Sequence, residues 1–487
     1  MTATAQTNAS NYTTRDRKFA AYLIEKDLLW PTSITNSTGE IAFVFEDPRH
    51  ASATLFKQFV DGLRPEYIHR GGMVLPDGFV ETLSNGKYLV WRNAVTERRT
   101  SWPMEQGQVW RPPDHKMVTE RVVLLADQPS PYGTQLELFS EVKSFLHRYI
   151  DIQSFWEDLL GHYVLVTWVY DAFQSLPYIR FLGEFGTGKT RMLEVVRELC
   201  YRSAMANGAA SNASIFRIID EWRGTFALDE ADFSKSAEWS DIIKILNCGY
   251  KQGNPVLRAE GNAANSYSPR AFCVFGPKIL STRRRFDDPA LESRCLTYHT
   301  TEKSLRPDVP LDLPPKFFDE ARVLRNKLLQ WRFENFTGFQ NAASVERVGG
   351  DLRLNQITGP LDVVASSEEF RQELREFKSS YSSAERSHRP AAMVLDALKG
   401  IWDARSPEER TKLIPLKAIV THYDTVSEAK GETRENDYRT LTDPKSVASL
   451  LRSMEFDVRR TSRGMAVFVD ETLLARKRKE YGLSKEK

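Results

Sequence analysis

Long apolar runs are missing from this 487-residue chain. Its most apolar stretch, Tyr163 to Tyr170, falls far short of the ~18–20 residues that cross a bilayer. The first fourteen residues form a Thr/Asn/Ala-rich tail without the apolar core of a signal peptide. Both absences predict a soluble, cytoplasmic protein. Cysteine is scarce as well. Cys200, Cys248, Cys273 and Cys295 lie far apart, with no CxxC pair and no histidine at zinc-finger spacing. Reduced structural thiols are expected, and a structural zinc is not. No sign of charge dominates, since 67 basic and 65 acidic residues leave a net charge of +2. A global field that would attract a polyanion is therefore excluded. No internal repeat is found.

Hydrophobic residues make up 41% of the chain and charged residues 27%, enough for real cores and too ordered a mixture for wholesale disorder. The length suggests three or four domains. Short strand-like runs (Ile41–Phe45, Tyr88–Trp91, Val122–Leu125) and turns at Pro76-Asp77-Gly78 and Asn85-Gly86 predict a small α+β or mostly β module over residues 15–133. Aromatics interleave with arginines there, at Trp91-Arg92, Arg98-Arg99 with Trp102, and Trp110-Arg111. That pattern fits base stacking and a partly buried β-module equally well. Two periodic helices follow, Leu136–Ile150 and Ser154–Ala172, then strands and helices alternate to about residue 300. Such alternation predicts a parallel sheet covered by helices. Residues 306–385 read as helical, and residues 386–487 as three short helices with a hairpin.

The sharpest signal is Gly183-Glu184-Phe185-Gly186-Thr187-Gly188-Lys189-Thr190, which fits GxxxxGK[ST]. A buried strand, Tyr178–Leu182, precedes it, and helical apolar spacing at Met192, Val195, Val196 and Leu199 follows it. Glycines let backbone N–H groups curl around phosphates, and the helix N-terminus adds a favourable dipole. In that role Lys189 neutralises the β- and γ-phosphates and Thr190 ligates Mg²⁺. The other reading is a Gly-rich turn with an exposed lysine. Forty residues on, Phe226-Ala227-Leu228 runs apolar into Asp229-Glu230-Ala231-Asp232. Asp229 is placed to hold Mg²⁺ and Glu230 to polarise the attacking water, although either could cap a helix instead. The same letters resemble the DEAD-box helicases, but no Ser-Ala-Thr motif or second RecA-like domain follows them. A third apolar strand, Lys278–Leu280, ends in Ser281 and Thr282 and leads through Arg283-Arg284-Arg285 to Asp288-Pro289-Ala290-Leu291-Glu292-Ser293-Arg294. A hydroxyl there can sense a γ-phosphate, and an arginine there can stabilise charge on a transferring phosphoryl group. A surface ion pair for Arg294, and a solvated turn for the arginine triplet, remain open.

In this order the elements resemble an AAA+ ATPase core over about residues 135–300. More narrowly they are similar to helicase-like ATPases of phages, plasmids and integrated mobile elements, in which an aromatic-rich helix (here Tyr163–Tyr170) precedes the nucleotide strand. The resemblance implies an α/β fold: a P-loop AAA+ parallel sheet (residues 134–305) with a helical lid (306–385). It implies ATP and Mg²⁺ as cofactors, Thr282 (or Ser281) as the first sensor and Arg294 as a finger reaching a neighbouring subunit's nucleotide. The lid would supply a second sensor, Arg353 or Arg347. Sites shared between subunits imply a ring, a homo-hexamer.

DNA contacts are expected in two places. Asn247–Arg258 reads as a loop or hairpin projecting from the core, with Lys251 and Arg258 for strand phosphates and Tyr250 for stacking. An ordinary surface loop would read the same way. Asp443 and Pro444 open a third C-terminal helix, and Asp457–Thr461 with Met465–Val469 form a hairpin. A winged helix of this kind sets Lys445, Arg452, Arg459, Arg460 and Arg463 against duplex backbone, or serves protein contacts instead. From Asp443 to the end there are eleven basic and seven acidic residues, a local +4. The expected function is an ATP-driven DNA motor, a helicase or replication initiator of a mobile element. A nucleotide-switched DNA-binding regulator and a loader or remodeller of a protein partner are the alternatives.

Overall fold

The computed structural model describes residues 66–487 except 104–107, 209, 232–236, 262–266, 287, 302–304, 343–350, 388–389, 430–442, 463, 482 and 484–487. The strand expected at Ile41–Phe45, together with Asp232, Arg347 and Arg463, lies outside the described residues. The strands, in chain order, are β1 (Glu66–His69), β2 (Gly72–Leu75), β3 (Gly78–Thr82), β4 (Tyr88–Arg92), β5 (Val95–Arg99), β6 (Trp102–Pro103), β7 (Gln108–Arg111), β8 (Val123–Leu124) and β9 (Tyr178–Leu182). They continue with β10 (Ser203–Ala206), β11 (Phe226–Leu228), β12 (Val256–Gly261), β13 (Tyr267–Phe272), β14 (Lys278–Thr282), β15 (Cys295–His299), β16 (Ile414–Pro415), β17 (Asp457–Thr461) and β18 (Gly464–Phe468).

The central sheet has the order β15-β9-β14-β11-β10-β8. Its first five strands run parallel, and only the short edge strand β8 is antiparallel. Strands β9 and β14 are buried at every residue, as expected of near-continuous apolar runs covered on both faces. The helices Gln135–Tyr149 and Ser154–Trp168 are both present. The first is opened by a reciprocal capping box between Thr134 and Glu137. The second is apolar almost all round because neighbours cover it on several sides. Its Tyr163 hydroxyl donates to the Lys278 carbonyl at 2.8 Å, fixing the start of β14.

Val122–Leu125 was expected to belong with the N-terminal strands. Its central pair, β8, instead completes the central sheet beside β10. The N-terminal strands form a meander, β2-β3-β4-β5, and a smaller sheet, β1-β7-β6. The turn at Gly86 has the φ of +73° that the Asn-Gly pair supplies. Two of the interleaved arginines, Arg92 and Arg99, lie over the Trp102 ring, at 5.1 and 5.2 Å.

The meander is joined to the central sheet and its helices by a buried charge network. Glu81 of β3 is 2% exposed and accepts from the Tyr201 hydroxyl at 2.6 Å, from Arg332 Nε at 3.2 Å and from Arg202. Arg332 comes from the long helix Pro315–Gln340 and also grips Asp171 with both terminal nitrogens, at 2.8 and 2.7 Å.

A separate core gathers Val394, Leu398, Ile419, Tyr423, Val447, Leu451 and Val467. It is built from helices Pro390–Asp403, Leu416–Ala429 and Pro444–Ser453, with a small sheet of order β16-β18-β17. No described helix is long and apolar enough to cross a membrane.

Candidate functional site

The loop Gly183–Gly188 leaves the C-terminal end of β9 and enters the helix Lys189–Arg197. Gly186 and Gly188 sit at φ +76° and +84°, a left-handed conformation that glycine adopts without penalty. A Cβ at either position would meet nothing within 4 Å, so the concave side of the loop is open. Gly188 caps the helix without any side-chain hydrogen bond, at the end of the helix where N–H groups point outward. Gly183 is required for a different reason: a Cβ there would lie 2.1 Å from the Thr300 hydroxyl. Thr300 in turn shares a 2.7 Å hydrogen bond with Thr187, which also donates to the Glu184 carbonyl at 2.8 Å. Lys189 Nζ folds back onto the same Glu184 carbonyl, which holds the ammonium over the loop. Thr190 follows it and is exposed. These residues fit a nucleotide triphosphate tail.

Strand β14 lies between β9 and β11, with Thr282 level with Leu182 and Leu280 level with Leu228. The ends of all three strands are stitched together. Gly183 N–H donates to the Thr282 carbonyl at 3.1 Å, and Ala231 N–H to the Ser281 carbonyl at 2.9 Å. The sheet therefore brings the phosphate loop, Thr282 and the pair Asp229-Glu230 to one edge. Asp229 is buried and accepts from the Glu230 N–H at 2.9 Å. Glu230 has a φ of +52°, unusual for a side chain of its kind, and is exposed. Strain of that sort costs on the order of 1–3 kcal/mol and persists where surrounding structure enforces it. Here the bonds of Asp229 to Ala206 and of Ala231 to Ser281 hold the backbone on both sides, so the carboxylate is turned outward.

Thr282 Oγ1 is buried and has no hydrogen-bond partner among the described residues. An unsatisfied buried hydroxyl costs about 1–3 kcal/mol. Thr282→Val removes that cost while keeping the shape. The variant is expected to match or exceed the parent by about 1 kcal/mol in denaturant unfolding, while any nucleotide turnover at this strand edge should fall by about 10²-fold. Unchanged turnover would leave the hydroxyl without a role in the reaction.

Beside the loop lies a cavity of about 190 Å³, lined by Tyr149, Ile150, Gly186, Met192, Tyr298 and Leu305 among others. Its apolar walls suit a nucleotide base. They come from the link between two helices, the end of β15 and the stretch around Leu305–Leu311. Arg191 holds that last stretch by donating to the carbonyls of Pro310 and Leu311. No motif joins these three segments, so the sequence alone did not reveal them.

Arg294 lies at the other end of the sheet. Its carbonyl accepts from Tyr178 N–H, at the first residue of β9, five residues before the loop begins. At 3.3 Å per residue the separation is roughly 16 Å. Arg294 is 8% exposed, donates to the Ala290 carbonyl and stacks on the Tyr250 ring at 4.3 Å. Arg353, expected at the chain's own nucleotide, is instead on the same Tyr250 ring at 4.7 Å. The structure thus brings these two arginines together and sets both apart from the phosphate loop. Arg180, buried at the centre of β9, anchors the turn that carries Arg294 through Glu292. Burial alone would raise the Glu292 carboxyl, but Arg180, Arg285 and the Phe286 N–H hold it below its ordinary value. Of the arginine triplet, Arg283 stacks on Phe185 of the loop at 4.3 Å, and Arg285 lies 3.7 Å from Glu292.

The hairpin expected near Asn247–Arg258 falls slightly later, as β12 and β13. Tyr250 is buried under the two arginines, which removes it from base stacking. Lys251 is exposed in the turn before β12. Arg258 pairs with Asp241 at 2.9 Å and lies 5.3 Å from the Phe216 ring, so it secures the base of the hairpin. In the C-terminal domain Lys445 and Arg460 are exposed. Arg452 reaches the Val458 carbonyl at 3.4 Å, and Arg459 is paired with Asp457 at 2.8 Å.

No family model and no curated protein matches the chain. Among solved structures, the NrS-1 C-terminal region is 13% identical, with a TM-score of 0.34, over 78% of this chain and 93% of that one. A structure described as SCCmec type IV Cch, active helicase, is 10% identical, with a TM-score of 0.36, over 87% of this chain and 85% of the other. Likeness at that level carries no functional argument, which rests on the chain's own residues.

Proposed function

We propose that this protein is an ATP-hydrolysing, Mg²⁺-dependent AAA+ motor acting on DNA, and that it works as a ring with each nucleotide held between two copies. The observation that carries this reading is the convergence of the phosphate loop, Thr282 and Asp229-Glu230 on adjacent parallel strand ends. Bound ATP with its metal ion supplies the phosphoryl group to be transferred. Lys189 and the loop N–H groups neutralise and orient the phosphates, while Thr190 and Asp229 offer oxygens to the metal. Glu230 accepts the proton of the attacking water, and Thr282 orients that water.

A ring explains why Arg294 is roughly 16 Å from its own loop: it serves a neighbour. Phe185 on the loop is 72% exposed, and Leu352, beside Arg353, is 68% exposed. They lie at opposite ends of the sheet, and a head-to-tail contact between copies would cover both. The three-helix domain with its β17–β18 hairpin supports a winged-helix reading, with Lys445, Arg452, Arg459 and Arg460 near duplex phosphates. The β12–β13 hairpin, with Lys251 at its approach, is the candidate element for a single strand in the ring channel. A helicase or replication initiator of a mobile element is the corresponding role.

The test is ATP turnover by the purified chain with and without single-stranded DNA, alongside strand separation on a forked duplex. Turnover stimulated several-fold by DNA, with unwinding, is the expected result. Turnover indifferent to DNA would favour a loader or remodeller, and sequence-specific duplex binding without unwinding a nucleotide-switched regulator.

A further inference from the structure

Two arginines that the sequence separates by 59 positions converge on one tyrosine. Arg294 and Arg353 lie 4.3 and 4.7 Å from the Tyr250 ring centre. The Tyr250 main chain is anchored, since its carbonyl accepts from Leu176 N–H at 2.9 Å, and its side chain is buried. Arg353 is steered by Gln356, whose side-chain oxygen accepts from it at 2.7 Å and whose amide donates to Ser175 at 3.0 Å. Neither guanidinium has a carboxylate partner among the described residues. The carboxylates near them in the chain are engaged elsewhere: Glu292, two positions before Arg294, is held by Arg180 at 2.8 Å. Asp288 caps the short helix that precedes Arg294 and accepts from Asn247, and Asp351 caps the helix that carries Arg353. Arg294 is more than nine-tenths buried, with its Nε unpartnered.

Like charges held this close repel, and burial of one weakens its screening by water. A bound anion relieves both effects. Stacking on a fixed ring also pre-orients the two planar forks, which suits bidentate contact with phosphate oxygens. We propose that Arg353 is a second trans-acting arginine, which together with Arg294 contacts the terminal phosphate of a nucleotide held on the neighbouring copy's loop. This rests on the ring reading above. The chain's own nucleotide is excluded as the target by the length of β9 that separates Tyr250 from the loop.

The experiment mixes inactive copies of the full chain. Lys189→Ala disables a copy's own loop and leaves its arginines intact. Arg353→Ala and Arg294→Ala do the reverse. Alone, each arginine variant is expected to lose about 10²-fold in turnover, with ATP affinity and thermal unfolding close to the parent. Mixed in equal parts with Lys189→Ala, each should regain activity, because roughly a quarter of contacts then join an intact loop to intact arginines. Recovery with Arg294→Ala but not with Arg353→Ala would overturn the assignment of Arg353 and leave the ring in place. Recovery with neither would overturn both. Turnover of Arg353→Ala at the parental rate, or its loss of ATP affinity as an isolated copy, would also refute the proposal. Intact turnover with weakened DNA binding would assign the pair to a nucleic-acid phosphate.

Discussion

Replacing Glu230 by glutamine is expected to lower ATP turnover by about 10²- to 10⁴-fold while leaving ATP binding near the parental level. The substitution keeps the size and hydrogen-bonding reach of the side chain and removes its ability to take a proton. The backbone supports the contrast. Glu230 is held at φ +52° by hydrogen bonds on both sides of it, so the amide should occupy the place of the carboxylate. Lys189→Ala should behave differently. Its ammonium lies over the loop on the Glu184 carbonyl, where phosphate oxygens would compete for it, so its loss should weaken binding itself. Phosphate release under saturating ATP, beside titration with a fluorescent ATP analogue, separates the two. A Glu230→Gln protein that hydrolyses ATP at the parental rate would remove Glu230 from the role of general base.

The second large effect concerns stability. Glu81→Gln should cost about 3–5 kcal/mol, because it strips the charge from a buried carboxylate that faces two buried arginines. Burial by itself would lower the pKa of Arg202 and Arg332. Glu81, Tyr201 and, for Arg332, Asp171 more than offset it, and both guanidiniums are held above their ordinary values. Without Glu81 the fork of Arg202 keeps, among the described residues, the Trp222 carbonyl, and Arg332 depends on Asp171 and the Trp168 carbonyl. The midpoint of thermal unfolding should fall on the order of 10 °C. Because Glu81 sits on β3 and its partners on the central sheet and its covering helices, the variant should also free the N-terminal sheets for proteolysis before the core. A midpoint unchanged within about 2 °C would mean that the apolar contacts of Phe79 with Phe333 and Phe336 carry the attachment alone.

The strand, glycine loop and helix were legible because their geometry is local: strand, glycines, lysine and helix are contiguous, and each needs only its neighbours. The same holds for Asp443 and Pro444 at the third C-terminal helix, which the structure starts at Pro444. Val122–Leu125 shows where locality ends. Its apolar letters predict a strand, yet nothing in them chooses between the N-terminal meander and β10. Arg258 and Tyr250 show the same limit for charged and aromatic residues. Each letter fits a nucleic-acid contact until Asp241 or a pair of arginines is seen to occupy it.

By itself, then, the sequence determined the glycine loop and the charged residues Lys189, Asp229 and Glu230 that the proposed function uses, since steric freedom at glycine and side-chain charge belong to the residues themselves. Only the tertiary structure decided what lies next to them. The cavity beside the glycine loop joins three segments that no periodicity connects, and the Glu81 network joins residues up to 251 positions apart. Arg353 stands beside Arg294 because the helix Leu352–Val363 packs on the helix Ser154–Trp168 and is tied through Gln356 to Ser175, just before β9. Such neighbourhoods follow from the burial of whole apolar faces and the pairing of buried charges, which depend on the complete fold rather than on any stretch of it.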